Sequence, residues 1–466
     1  MKKKKVFAVI TYVFFLLFFL ILYCFNNFSI EEDRLFFVLI CSFMIVWGLY
    51  LYSFLKRNID ILEPITFVTF MYSIFFIFEP MLDILENKTI WFGYRYTAIG
   101  PYATLIAIIG YIAFYFGYYS NFRVKKFKKV IVKKENNSNK KYALYGMLTW
   151  IVFYLLTVLF LMLSGKSIGY ILSGGMSGSG DLLEVRNKLG SLAMFSYCLI
   201  ASWGLYYIYG RNRLVKTITF ILTVFAYYLR GYRFIIIIFI LTPIVLYYLN
   251  NNKRPKIYQL LSCTILLVLL IGSIAVARNN VRYGEKVDSS KITWDSSLEQ
   301  VKDNFRIYNT YYALVETIPK NKNYLYGQQI FLFTATMFVP RIVWSNKPIT
   351  SPGLLIIGDA ISDYAVKAGT AYPIIGEFYL EFGVIGVIVF MYLYGKLNNY
   401  FSSIYIYSNN NIVKILEYTI LLLANFQIII RGYTPSNFYM VIFFILPIFI
   451  FNKFIFKKSE EKNEKD

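Results

Sequence analysis

Hydrophobic positions along this chain come in long unbroken runs instead of the alternating or 3.6-residue patterns of soluble domains. Runs of about 20 apolar residues are what a helix needs to cross roughly 30 Å of hydrocarbon. Reading for them predicts twelve spans, at 6–25, 35–55, 64–82, 99–120, 142–163, 191–209, 215–229, 234–249, 257–277, 374–394, 415–430 and 438–451. Two of these, 215–229 and 234–249, form a short hairpin with a tight turn. The expected fold class is therefore all-α, a polytopic membrane protein. Its parts are an N-terminal bundle (1–277), a large loop domain (278–373), three C-terminal spans (374–452) and a charged tail (453–466). Two polar stretches interrupt the runs. One, 164–190, carries a flexible Gly/Ser run from Gly174 to Gly180, which lacks the lysine and flanking strand of a phosphate-binding loop. The other, 278–373, is too long for a turn and holds Trp294, Trp344 and amphipathic stretches. It is expected to form a small helical layer on the outer membrane face, with 328–339 dipping into the bilayer. No internal repeat is visible.

Composition agrees with the pattern. Of 466 residues, 58% are hydrophobic and 20% aromatic, above the level of soluble domains. The formal net charge is +22. Placing the N-terminus in the cytoplasm puts 28 Lys+Arg and 7 Asp+Glu on that side, leaving 20 basic and 19 acidic residues elsewhere. The basic excess is thus the positive-inside signal of a membrane protein with both termini cytoplasmic, and no nucleic acid is implied. The lysine-rich loop 123–141 reads the same way, as a topology signal facing anionic lipid. There is no histidine, which excludes Ser–His and Cys–His catalytic pairs and argues against a catalytic zinc. No metal or other cofactor is expected. All four cysteines lie inside apolar runs, so no disulfide framework is indicated.

Chemistry is then sought among charges at the outer ends of spans. Arg230 and Arg233 frame the hairpin turn Arg230-Gly231-Tyr232-Arg233. Arg278 closes the next span, with Arg282 a turn further on, Arg341 lies in Val339-Pro340-Arg341, and Arg431 tops the penultimate span. Guanidinium holds a diphosphate well because its planar donors pair bidentately with phosphate oxygens. Snorkelling to lipid phosphates explains any single arginine equally well. A group of them on the side that the positive-inside trend depletes is less easily explained so. Among the acids, Glu377 and Glu381 are four residues apart at the start of a span, which places both on one helix face. Asp359 and Asp363 repeat the spacing, and Glu79 precedes Pro80 near the end of the third span. Paired carboxylates suit general base work or sugar binding. They also suit a solvated helix start, the better account of Asp359 and Asp363.

The segments Val339-Pro340-Arg341-Ile342-Val343-Trp344 and Gly376-Glu377-Phe378-Tyr379-Leu380-Glu381-Phe382-Gly383-Val384-Ile385-Gly386 resemble the oligosaccharide repeat-unit polymerases, the O-antigen polymerase (Wzy) family. The aromatic-Gly-x-x-Gly step after a large external loop and the arginine-bearing hairpin turn carry the resemblance. A paired R-x10-G loop signature, found in some members, is not present. The resemblance implies a glycosyltransferase in the bacterial cytoplasmic membrane with its active site on the external face. There a glycan on undecaprenyl diphosphate would be transferred to the next lipid-linked repeat unit. The leaving diphosphate carries the developing charge, so fixed cations should matter most. On this reading Arg278 and Glu377 are the catalytic candidates, Glu377 as base, and Arg230, Arg233, Arg282, Arg341 and Arg431 would hold the diphosphate. The lipid-linked glycan, the bilayer and a chain-length regulator protein are the implied partners. An O-antigen ligase shares span count and loop but typically carries a histidine there. A flippase should line several spans with charge.

Overall fold

A computed structural model gives the chain as a helical bundle. It describes residues 2–57, 59–91, 94–120, 138–165, 190–256, 306–337, 371–408 and 411–456, with scattered positions from 258 to 302 and at 339 and 344. Among the described residues, nine helices are long and apolar enough to cross a membrane. The two hairpin helices are shorter, and the expected span at 257–277 lies mostly outside the described residues.

Helix α1 (Lys2–Phe25) is apolar nearly all round and packs mainly on α2 (Ile30–Arg57), where Phe19 meets Phe43 edge-on at 5.1 Å, with Phe19 also against Phe78 at 6.0 Å. A capping box starts α2: the Ser29 N–H donates to Glu32 and the Glu32 N–H to the Ser29 hydroxyl. Acids in the first turn and Lys56 and Arg57 in the last complement the helix dipole. The third span runs as α3 (Pro64–Ser73), a π-helical turn (Ile74–Phe78) and α4 (Glu79–Leu85). The proline explains the wide turn. Pro80 has no N–H, and its ring would meet the carbonyl of Phe76, so an extra residue loosens that turn. One inserted residue rotates the following side chains by roughly 100°, which sets where Glu79 and Asp83 face. A two-stranded ladder, β1 (Ile90–Trp91) with β2 (Tyr94–Arg95), pairs Ile90 with Arg95 and Trp91 with Tyr94 before α5 (Gly100–Tyr119).

Next come α6 (Ser138–Met162), a 3-10 turn (Gly190–Tyr197) leading into α7 (Cys198–Tyr209), and the hairpin α8 (Arg213–Leu229) and α9 (Arg233–Asn250). Helix α10 (Ile307–Thr317) lies within the segment expected as an outer layer. Instead, every residue of α10 except Glu316 is buried, in the same continuous core as the spans. Its tyrosines make this possible, because each hydroxyl finds a partner inside. Tyr311 donates to the Ala103 carbonyl and Tyr312 pairs with Thr104. The remaining spans are α11 (Ile374–Ile406), α12 (Ile412–Ile430) and α13 (Thr434–Ile450).

Helices α5 and α11 pack backbone to backbone through reciprocal glycines. A Cβ at Gly117 would collide with the Tyr392 carbonyl, and one at Gly395 with the Phe114 carbonyl. Helix α11 itself breaks at Phe382-Gly383, where Gly383 has φ 63°. A side chain there would be strained and would strike Tyr324. The break frees two carbonyls inside the protein, and both are satisfied. Leu380 accepts from the Leu325 N–H and Glu381 from the Tyr326 N–H, each at 3.0 Å. The chain entering residues 327–336 is thereby bonded to the broken turn.

Candidate active site

The arginine turn of the hairpin is built by a Schellman motif. Gly231 takes φ 67°, its N–H donates to Tyr228 and that of Tyr232 to Tyr227. This geometry folds Arg230 back into the bundle, where it is fully buried. One guanidinium nitrogen donates to the Ser196 hydroxyl at 3.1 Å and another to the Tyr232 hydroxyl at 2.8 Å. The guanidinium also lies over the Phe160 and Tyr232 rings, while Nε has no hydrogen-bond partner. No carboxylate among the described residues pairs with it.

Arg431 caps the end of α12, with its guanidinium over the Phe234 ring and its Nε also unpartnered. Tyr232 stacks on Tyr197 at 5.4 Å, and Tyr197 lies within electrostatic range of Arg431. Arg233 opens α9, and its side chain lies outside the described residues, as do Arg278, Arg282, Arg341, Asp359, Asp363 and the run Gly174–Gly180.

Glu377 and Glu381 do share a face of α11, and both are fully buried. Their surroundings are closed. Glu377 accepts from the Gln329 amide (2.7 Å), twice from the Thr434 N–H (2.8 and 2.9 Å) and from the Thr434 hydroxyl (2.8 Å). Glu381 accepts from the N–H groups of Gly327, Gln329 and Ile330. Gln329 also accepts from Tyr372, and the Gly432 N–H donates to the Tyr372 carbonyl. Glu381 therefore anchors the start of the 328–336 helix. Glu377 ties that helix to the first residue of α13, three positions after Arg431. A base needs a lone pair open to its substrate; here all four contacts to Glu377 are made by the protein.

A second acidic pair lies at the end of the third span. Asp83 receives Arg306 bidentately, Nε to both oxygens (3.1 and 2.9 Å) and a terminal nitrogen to one (2.8 Å), and also the Tyr308 hydroxyl. Outside the span, Lys302 and Lys88 pair with Glu86 and hold its carboxyl down at about 2, below its usual value of 4.5. Among the described residues, no group of three or more potential metal ligands comes together.

The family model described as O-antigen polysaccharide polymerase Wzy matches residues 7–459, nearly the whole chain. The chain belongs to that family. No curated protein and no solved structure gives a match. As a Wzy polymerase the protein is a multi-pass membrane enzyme of the glycosyltransferase type, joining O-antigen repeat units that are lipid-linked oligosaccharides. Sequence reasoning missed Asp83, Arg306, Tyr308, Gln329 and Thr434 in this Wzy chain. Only Asp83 left a local signal, its spacing four residues after Glu79. The others come together through contacts across roughly 50 to more than 200 positions, which no spacing encodes.

Proposed function

We propose that the enzyme joins undecaprenyl-diphosphate-linked repeat units at the outer face of the bacterial cytoplasmic membrane, with Arg230 and Arg431 as the cations that receive the diphosphate. The reading also carries the twelve-span topology with both termini inside, Arg278 as catalytic and Arg233, Arg282 and Arg341 as further diphosphate ligands. A separate chain-length regulator protein is the proposed partner. The observation behind it is that a fully buried arginine, Arg230, has hydroxyl and ring partners but no carboxylate among the described residues. Placing an arginine in a helix centre costs roughly 2.5–3.5 kcal/mol on insertion scales. A cation kept without a counter-charge is matched to an anion that arrives with substrate. Its hydroxyl partners can turn to accept or donate, so they fix the guanidinium without neutralising it.

Support for a common side comes from the helix ends. Arg230, Arg431, Glu377 and Asp83 all lie at ends that alternation along the chain assigns outward. Asp60, paired with Arg254, lies at the opposite end of the third span. Glu377, expected as base, has every contact occupied, and we propose that it positions the loop bearing Arg431. The test is Arg230→Ala and Arg431→Ala in cells lacking the native gene, with glycan resolved on a gel. Single-repeat glycan, with the variants present in the membrane at normal level, is the expected result. A normal ladder from both would overturn the arginine assignment.

A further inference from the structure

We propose that Glu79 is the general base that accepts the proton of the acceptor sugar's hydroxyl, held in place by the Asp83–Arg306–Tyr308 cluster. This rests on the outer-face reading above and goes beyond it by naming the acceptor-side group. In the step, the acceptor oxygen bonds to the donor's anomeric carbon. The bond from that carbon to the diphosphate oxygen breaks, and its electron pair leaves on the lipid diphosphate. The hydroxyl proton passes to a Glu79 oxygen and is afterwards released to water.

Comparison of the four buried carboxylates at this end of the bundle selects Glu79. Asp83 is occupied by Arg306 and Tyr308, Glu377 by Gln329 and Thr434, and Glu381 by three backbone N–H groups. Glu79 is 7% exposed, yet it accepts no hydrogen bond among the described residues. Its oxygens are not fully sealed, so the carboxylate keeps a small opening. A carboxylate left buried with unclaimed lone pairs is costly unless a donor arrives, and a sugar hydroxyl is such a donor.

The surroundings suit the task. Arg306 and Lys302 come from the loop side, Asp83 and Glu86 from the chain that continues past Glu79, and among the described residues these are the charged groups that act on it. Arg306 is committed to Asp83 through three contacts, so it does not clamp Glu79. The wide turn 74–78 before Pro80 sets the direction in which Glu79 and Asp83, one helical turn apart, both face. The acidic cluster is also bonded to the arginine loop. From Tyr308 on α10, Thr310 donates to the Ala371 carbonyl. Tyr372 then donates to Gln329, the Gln329 amide donates to Glu377, and Glu377 holds Thr434. Acceptor base and leaving-group cation would therefore be two fixed points on one frame, as an in-line displacement needs.

The experiment uses purified full-length enzyme and lipid-linked single repeat units extracted from cells lacking the polymerase gene. Glu79→Gln should cut kcat by about 10²–10⁴-fold, the usual contribution of a general base, with KM changed less than a few-fold and no acid limb left in the pH–rate profile. Turnover within tenfold of wild type would overturn the assignment. Should Glu79→Gln fail to accumulate as folded protein, Glu79→Asp decides. A displaced acid limb supports the role, and a wild-type profile refutes it. Full activity in both Arg230→Ala and Arg431→Ala alongside a dead Glu79→Gln would remove the diphosphate reading and leave Glu79 standing.

Discussion

Glu377 separates positioning from chemistry in one substitution pair. The carboxylate makes four contacts between 2.7 and 2.9 Å, all to protein donors, in a fully buried site. In Glu377→Gln the remaining carbonyl oxygen can still accept from Gln329 and from the Thr434 N–H. The new amide N–H can donate to the Thr434 hydroxyl, which reverses its role. The net loss is then about one charge-assisted hydrogen bond, on the order of 1.5–3 kcal/mol. Glu377→Ala instead strands the Gln329 amide and the Thr434 N–H inside the protein. At about 1–3 kcal/mol for each unmet group, that amounts to roughly 2–6 kcal/mol. It also releases the 431–434 loop that carries Arg431.

Thermal unfolding in detergent, followed by a size-exclusion reporter, measures the stability order, and the glycan ladder measures function. Wild type should exceed the glutamine variant, and the alanine variant should fall well below both. The glutamine variant should keep most of its polymerisation, while the alanine variant loses it. A glutamine variant as stable as wild type but without turnover would refute the positioning argument and return Glu377 to the chemistry. An alanine variant with wild-type stability would refute the hydrogen-bond network itself.

Two further outcomes test the frame. Gly395→Ala puts a methyl group against the Phe114 carbonyl at the α5–α11 crossing, so it should lower stability by about 1–3 kcal/mol. Leu393→Ala, on the exposed side of the same helix, should leave thermal unfolding nearly unchanged. Glu86 tests the loop contact through pH. Its carboxyl is held below the ordinary value by Lys302 and Lys88, so its stabilising contribution is complete above about 4.5 and is lost as pH falls toward about 2. Unfolding temperature measured across that window should decline less steeply in Glu86→Gln, and the difference should shrink in high salt; identical slopes would contradict the pairing.

What the sequence made legible follows from the solvent. Inside a bilayer each backbone group must be satisfied locally, so a span shows as a continuous apolar run whatever its neighbours. That is why, among the described residues, nine runs reappear as helices of spanning length and why the glycine turn at Arg230-Gly231 shows as a break between two runs. The burial of helix α10 was hidden for the complementary reason. Asn309, Thr310, Tyr311 and Tyr312 look amphipathic in sequence, and only the carbonyls and hydroxyls offered by α5 and residue 371 make them core residues.

The two acidic pairs carry the same lesson further. Glu79 with Asp83 and Glu377 with Glu381 have identical i, i+4 spacing, and each puts two carboxylates on one helix face. Spacing alone therefore assigns them the same chemistry. The donors opposite do not. Opposite Glu377 and Glu381 the protein supplies Gln329, Thr434 and a turn of backbone N–H groups, enough to occupy both acids. Opposite Asp83 it supplies Arg306 and Tyr308, and opposite Glu79 no hydrogen-bond donor among the described residues. An acid that the fold has already saturated can hold a loop but has no lone pair left for a substrate. An acid that the fold buries and leaves open carries a desolvation cost that an incoming donor relieves. On that criterion the residues for proton transfer and for scaffolding are distinguished by what faces them, and Glu79→Gln and Glu377→Gln should give opposite results in the same assay.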